Sequence, residues 1–203
     1  MPERGRPDAK SLRLFVAIEL QEEIRTILAD TIDALKNNGI DRDLRWVRPE
    51  GIHLTLKFLG ATDEEDLPAI IAAVRAAAAN HAPFDLSVEG LGSFGAPRSL
   101  RVIWAGVGGN NHALASLASG VDATLAGVGF PAEARPYNAH LTIARVRDDA
   151  SPADRERIHT LLKQQAPPAR AMLHVKHCSL MESTLKPGGA VYAQLATFPL
   201  EAQ

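Results

Sequence analysis

His53-Leu54-Thr55-Leu56 recurs 87 residues later as His140-Leu141-Thr142-Ile143. A His-Leu-Thr triplet is expected roughly 0.04 times by chance in a chain of this composition, so the repetition marks two copies of one design. Each copy brings an imidazole and a hydroxyl two residues apart. On a strand, positions i and i+2 share a face. His53 and Thr55 therefore point one way, with Leu54, Leu56 and Phe58 on the other side. His140 and Thr142 do the same, opposite Leu141 and Ile143. If the two strands lie side by side or across a pseudo-twofold, two His and two Thr line one cleft.

That set suits chemistry on a phosphodiester. A neutral imidazole takes a proton from the attacking water or hydroxyl, and a protonated one gives a proton to the departing oxygen. The ordinary imidazole pKa of about 6.5 lets both forms exist near neutral pH. The hydroxyls can donate to the non-bridging phosphate oxygens, where transition-state charge is spread. These proton transfers need no metal and no cofactor. The residues themselves do not say which histidine is the acid. A metal site would want three or more ligands. The chain has no HExxH or HxH, no carboxylate within the motifs, and a single cysteine, Cys178. His81, His112, His159, His174 and His177 stand in no repeated context and read as structural.

The elements that must position the motifs follow from periodicity. Leu12 to Glu19 reads as a strand, and residues 22–36 carry apolar positions three and four apart, as on a helix face. Ile52 to Gly60 is a strand. Thr62 and Glu65 match a capping box that opens a helix to about Asn80. Strands are expected over 84–91 and 100–107, a helix over 114–125, and a strand over 139–146. Ser151 and Pro152 open a helix running to about Gln165. Strands over 173–180 and 191–198 flank the turn Pro187-Gly188-Gly189. Helices sit between strands, but several strands are consecutive, which favours α+β.

The 203 residues carry 22 Lys+Arg against 24 Asp+Glu, a net charge of −2 that argues against a protein that coats nucleic acid. Grip on one terminal phosphate needs no such excess. One cysteine excludes an intramolecular disulfide framework. The apolar run from Leu14 to Ile18 stops at Glu19, too short for a signal peptide core or a membrane span. The expectation is a soluble, cytoplasmic monomer with a flexible tail over 1–11 and one domain over 12–203.

With these residues together, the chain resembles the two-histidine phosphoesterase superfamily. It is most similar to the branch of RNA 2′,3′-cyclic phosphodiesterases, also described as 2′–5′ RNA ligases. The resemblance runs from about Leu12 to Leu200. It includes Arg13-Leu14-Phe15-Val16-Ala17-Ile18, Trp46-Val47-Arg48-Pro49-Glu50 before the first motif, and Lys57-Phe58-Leu59-Gly60 after it. It also includes Val102-Ile103-Trp104, Arg135-Pro136-Tyr137 before the second motif, Ala144-Arg145 after it, and Ser183 and Tyr192. The resemblance implies a bilobal fold with helices outside two pseudo-symmetric antiparallel lobes. Each lobe comes from about half of the chain, and the active-site cleft lies between them. It implies hydrolysis of a 2′,3′-cyclic phosphate on an RNA end or nucleotide to a 2′-phosphate. His53 is then the proton donor, His140 the proton acceptor, and Thr55 and Thr142 the phosphate ligands. Arg145, Tyr137 and Phe15 are the candidates for binding substrate. Strict alternation puts Arg145 opposite His140 unless a bulge turns it. Ala139 stands where the family commonly has proline, which loosens the entry to the second motif without removing a catalytic group.

Two other functions fit the same residues. An RNA 5′-hydroxyl in place of water would make the site a 2′–5′ ligase. A fold kept without turnover would be a nucleotide-binding module. Arg42, Arg45 and Arg48 put positive charge before the first motif, to guide an RNA end or simply to be solvated.

Overall fold

A computed structural model describes residues 11–187 and 189–201. Most of the tail expected over 1–11, and Gly188 of the expected hairpin turn, lie outside the described residues. Nine strands and four helices follow in chain order. They are β1 (Ser11–Glu19), α1 (Glu22–Asn37), β2 (Leu44–Trp46), β3 (His53–Asp63), α2 (Leu67–Ala79), β4 (Phe84–Phe94), β5 (Val102–Gly109), α3 (Asn111–Ala126), β6 (His140–Val146), α4 (Pro152–Leu162), β7 (Ala171–Val175), β8 (His177–Lys186) and β9 (Gly189–Pro199). The α+β class is as expected.

All strands join one antiparallel sheet in the order β7-β4-β5-β6-β3-β1-β8-β9, with β2 added to β6. Only Lys176 separates β7 from β8 in sequence, yet six pairings separate them in the sheet. A flat sheet would hold them about 29 Å apart at the usual spacing of strands. One residue cannot span that, so the sheet must curl strongly, into a half-barrel.

The curled sheet has two halves that meet at β6 and β3. Reading outward, β6-β5-β4-β7 matches β3-β1-β8-β9, so the motif strands are the innermost of each. These lobes are not successive halves of the chain. β1 and β3 belong to one lobe, β4 to β7 with β2 to the other, and β8 and β9 return to the first. Helices α2 and α3 pack together over the β3–β8–β9 lobe, and α1 and α4 cover the other. The core between helices and sheet is aliphatic. Ile24, Leu28 and Leu35 of α1, Ile70 and Val74 of α2, and Leu117 and Val121 of α3 are all buried.

Two element boundaries also differ from expectation. Thr62 does not cap α2. It is buried in β3 opposite Leu12, and its hydroxyl donates to the Gly60 carbonyl at 3.2 Å. Its backbone is committed to the sheet, so the helix waits for a 3-10 turn (Glu64–Asp66) and starts at Leu67. The strand expected over 173–180 is two strands that pair at different places, β7 with β4 and β8 with β1. The helix opened by Ser151 is as expected. The serine hydroxyl accepts from the Asp154 amide, and Asp154 reaches back to the Ser151 amide.

Candidate active site

The two motifs face one cleft of about 560 Å³, lined by His53, Thr55, His140 and Thr142. Leu54 and Leu141 are fully buried behind them. The alternation expected from the sequence therefore holds through all four positions of each motif, with Leu56 and Ile143 buried as well. It breaks just after the fourth in both, where Lys57 and Ala144 are buried in turn.

Ala17 and Val16 are neighbours on β1, yet they pair with Thr55 and Lys57 of β3, which leaves Leu56 as an extra residue. Ile103 and Trp104 of β5 pair with Ala144 and Thr142 of β6, which leaves Ile143 extra. Leu56 and Ile143 are equivalent positions, so each motif ends in a β-bulge. A bulge adds one residue and inverts the facing of everything after it. Phe58 and Arg145 consequently turn into the cleft, each five residues after its histidine. Phe58 was expected on the opposite face and Arg145 was left conditional on such a bulge. Phe58 is 63% exposed, a large apolar ring held open to solvent.

Each histidine is held the same way. His53 Nδ1 lies 2.9 Å from the Gly51 carbonyl, and His140 Nδ1 lies 2.8 Å from the Asn138 carbonyl. A carbonyl only accepts, so Nδ1 carries the hydrogen in both rings. Nε2 is left as the nitrogen that takes or gives a proton.

The surroundings differ. The His53 ring stacks on Phe15 with centroids 4.6 Å apart, and meets the Tyr192 ring edge-on at 4.9 Å. Gly51 permits this, since a Cβ there would press on the Tyr192 ring at 3.3 Å. Burial pushes the His53 imidazole below its usual value. The positive charges of Arg145 and His140 push the same way, against the Gly51 carbonyl and the carboxylate of Glu19. Glu19 is the cross-strand partner of His53 and accepts a hydrogen bond from Ser179 at 2.8 Å. His140 rests edge-on against Phe94 at 4.7 Å, and Phe94 leans on Trp104. Gly92 makes room there, because a Cβ would fall inside the space of the Trp104 ring.

Phe15 lines the floor of the cleft, and Tyr137 holds the chain beside it. Phe15 is 2% exposed and its ring faces are taken by His53, Tyr192 and Phe58, so it supports the histidine from below. The Tyr137 hydroxyl donates to the Thr55 carbonyl at 3.0 Å. Burial pushes its phenol up, so it remains a donor. Tyr137 thereby ties the segment before the second motif to the first motif. Lys57 ties the same segment a second time. The bulge at Leu56 sends its side chain into the core, where the ammonium pairs with Asp122 of α3 and donates to the Pro131 carbonyl at 2.6 Å. Asp122 also accepts from the Glu133 amide at 3.1 Å.

Sequence reasoning missed Arg13, Phe58 and Tyr192 as cleft residues. For Phe58 a signal existed, since it sits at the same offset from His53 as Arg145 from His140. Cys178 is buried, and burial pushes its thiol up to about 12, so it is no nucleophile at neutral pH. Among the described residues no group of three His, Cys, Asp or Glu side chains is placed to hold a metal ion. No helix among them is long and apolar enough to cross a membrane.

Comparison with known proteins gives the family. Residues 20–186 match the family model described as the 2′-5′ RNA ligase superfamily. The chain belongs to that superfamily. Among curated members, the RNA 2′,3′-cyclic phosphodiesterase of Methanothermobacter thermautotrophicus is 33% identical over 189 residues, covering 93% of this chain and 99% of the relative. The protein of the same name from Thermus thermophilus is 33% identical over 202 residues, covering 95% and 92%. Among solved structures, one from Thermus thermophilus superposes with a TM-score of 0.76 at 30% identity, covering 93% of this chain and 98% of that one. Escherichia coli LigT complexed with 3′-AMP superposes with a TM-score of 0.71 at 23% identity, covering 95% and 100%, a likeness of fold. The superfamily fold is thus present over nearly the whole chain.

Proposed function

We propose that this protein hydrolyses the 2′,3′-cyclic phosphate at an RNA end to a 2′-phosphate. The observation that carries the reading is the pair of His-x-Thr motifs on one cleft, each imidazole fixed through Nδ1 so that Nε2 serves for proton transfer. The names of the relatives support the same substrate.

His140 takes a proton from water as the water oxygen bonds to phosphorus. The bond from phosphorus to the 3′-oxygen breaks, and His53 gives its proton to that oxygen. The phosphate stays on the 2′-oxygen, and the two histidines exchange protonation states. This order of roles follows the motif order in the family resemblance. Thr55 and Thr142 donate to the non-bridging oxygens, and Arg145 places positive charge beside them. In the free protein the depressed pKa of His53 favours its neutral form. The anionic phosphate offsets this, since a nearby opposite charge favours the charged form. Substrate binding therefore loads the acid with its proton. Phe58, open to solvent beside the motifs, offers a face on which the terminal base stacks.

The test is turnover of a 2′,3′-cyclic mononucleotide in EDTA, with the product identified by phosphorus NMR. Continued turnover to the 2′-phosphate is expected. Loss of turnover on chelation, or exclusive release of the 3′-phosphate, overturns the reading.

A further inference from the structure

We propose that Arg45 and Arg145 form a second phosphate subsite, which takes the phosphodiester on the 5′ side of the terminal nucleotide. The site would then be built for the end of an RNA strand rather than for a lone cyclic nucleotide. This deepens the reading of the cleft given above and rests on it.

The argument begins with register. Arg45 of β2 and Arg145 of β6 are direct cross-strand partners. Partners in an antiparallel pair point to the same face, with Cβ atoms about 4.5–5.5 Å apart. That is the face on which Arg145 enters the cleft; Arg45 itself is not among the lining residues. Arg145 lines the cleft, and so does Val47, two residues beyond Arg45, whose amide continues the ladder by donating to the Ile143 carbonyl at 2.9 Å. β2 is three residues long and pairs with β6 alone. What it adds to this face is Arg45.

Two like charges directly opposite each other are destabilising. An anion between them removes that penalty. The counter-charge present is Asp148, 3.5 Å from Arg45 with a side chain 93% exposed. Such a surface pair contributes little and yields readily to a phosphate. The overall charge of −2 means that this basic pair is not a by-product of a basic protein. The opposite lobe brings Phe58, Tyr192 and Leu185 to the cleft, beside Arg13 of β1, so it offers rings for a base.

The experiment compares a 2′,3′-cyclic mononucleotide with a trinucleotide ending in the same group, in wild type and in Arg45→Gln. The wild type is expected to prefer the trinucleotide in kcat/KM. Arg45→Gln should lower kcat/KM for the trinucleotide on the order of ten-fold further than for the mononucleotide, as expected for one charge-assisted contact. Binding of the matching 2′-phosphate-ended ligands is measured alongside, so the result does not depend on turnover. There the variant should flatten the salt dependence for the trinucleotide by about 0.7 in log-log slope. Asp148→Asn, which releases Arg45, should shift trinucleotide binding the opposite way. Arg45 is 61% exposed at its side chain, so thermal melting should not move. Equal losses on both ligands, or a wild type indifferent to length, overturn the subsite. Failure of the wild type to turn over the mononucleotide overturns instead the reading of the cleft.

Discussion

Leu54 pairs with Leu141, and among the described residues this one register point joins the two halves of the sheet. Around an antiparallel pair, the residue after one partner faces the residue before the other. Thr55 is thereby aligned with His140, and His53 with Thr142. Each imidazole is set against the hydroxyl of the other motif, so in the proposed mechanism neither lobe carries a complete phosphate grip alone. Both leucines are fully buried, which makes the seam a packing joint as well as a register mark. Leu141→Ala should therefore cost about 2–5 kcal/mol of stability, the usual penalty for a buried leucine deletion. Urea unfolding measures it. A loss under about 1 kcal/mol would mean that the lobes are held together elsewhere.

His53→Ala and His140→Ala should each lower kcat on the order of 10²–10⁴-fold, the range for a lost general acid or base. Both imidazoles are only partly buried, so the variants should fold, and circular dichroism checks that they do. The double variant should be little worse than the worse single one, because the two act in one concerted transfer. Near-wild-type rates in both single variants would end the proposed mechanism.

Asp122→Asn should lower kcat more than it raises KM. Lys57 is buried and the Asp122 carboxylate is its counter-charge. Its hydrogen bond with Lys57 holds the Asp122 carboxyl below its usual range. Removing one partner of a buried pair costs about 3–5 kcal/mol, because the other charge stays behind. The same change leaves one neutral acceptor oxygen for the Glu133 amide where the carboxylate offered two, and so loosens the segment that carries Tyr137 and ends at His140. Lys57→Met with Asp122→Asn should recover stability but not kcat, since the donor to the Pro131 carbonyl is then lost as well. Recovery of both would reduce the pair to a structural role.

The motifs were legible because a strand's facing is local. Once His53 to Leu56 is a strand, the hydroxyl and imidazole must share a side. The Ser151 cap was legible for the same reason. The bulges at Leu56 and Ile143 were not, because a bulge exists only relative to the partner strand, and β1 and β5 set it. Phe58 was therefore assigned the wrong face, and Arg145 no firm one. The burial of Lys57 makes sense only beside Asp122, 65 residues away. The break at Lys176 was hidden because two apolar strands run together in sequence, while their partners lie in different lobes.

Phe58→Ala should raise KM for a cyclic nucleotide on the order of ten-fold, since stacking of a base on an aromatic ring contributes about 1–3 kcal/mol. Stability should change little, because the ring is mostly in solvent. Phe58→Trp should keep or improve KM. If Ala and Trp behave alike in KM while melting shifts, the ring is packing against Phe15 rather than waiting for a base.

The last prediction concerns pH. His53 is harder to protonate in the fold than in the unfolded chain, chiefly because it is buried. As pH falls through the ordinary value of about 6.5, the unfolded chain takes up the proton first, so stability declines. The decline ends below the folded pKa, where both states carry the proton. His53→Gln removes this contribution, so its urea stability should fall less than that of wild type between pH 7.5 and 5. Proton NMR of the His53 ring should give a pKa below 6.5 in the free protein. Adding a 2′-phosphate mononucleotide should move it up, because an anion beside Nε2 favours the imidazolium. Arg145→Gln should move it up as well, by taking away a positive charge. A ring that titrates at or above 6.5 in the free protein, or a downward shift on adding the nucleotide, would mean that His53 does not face the phosphate.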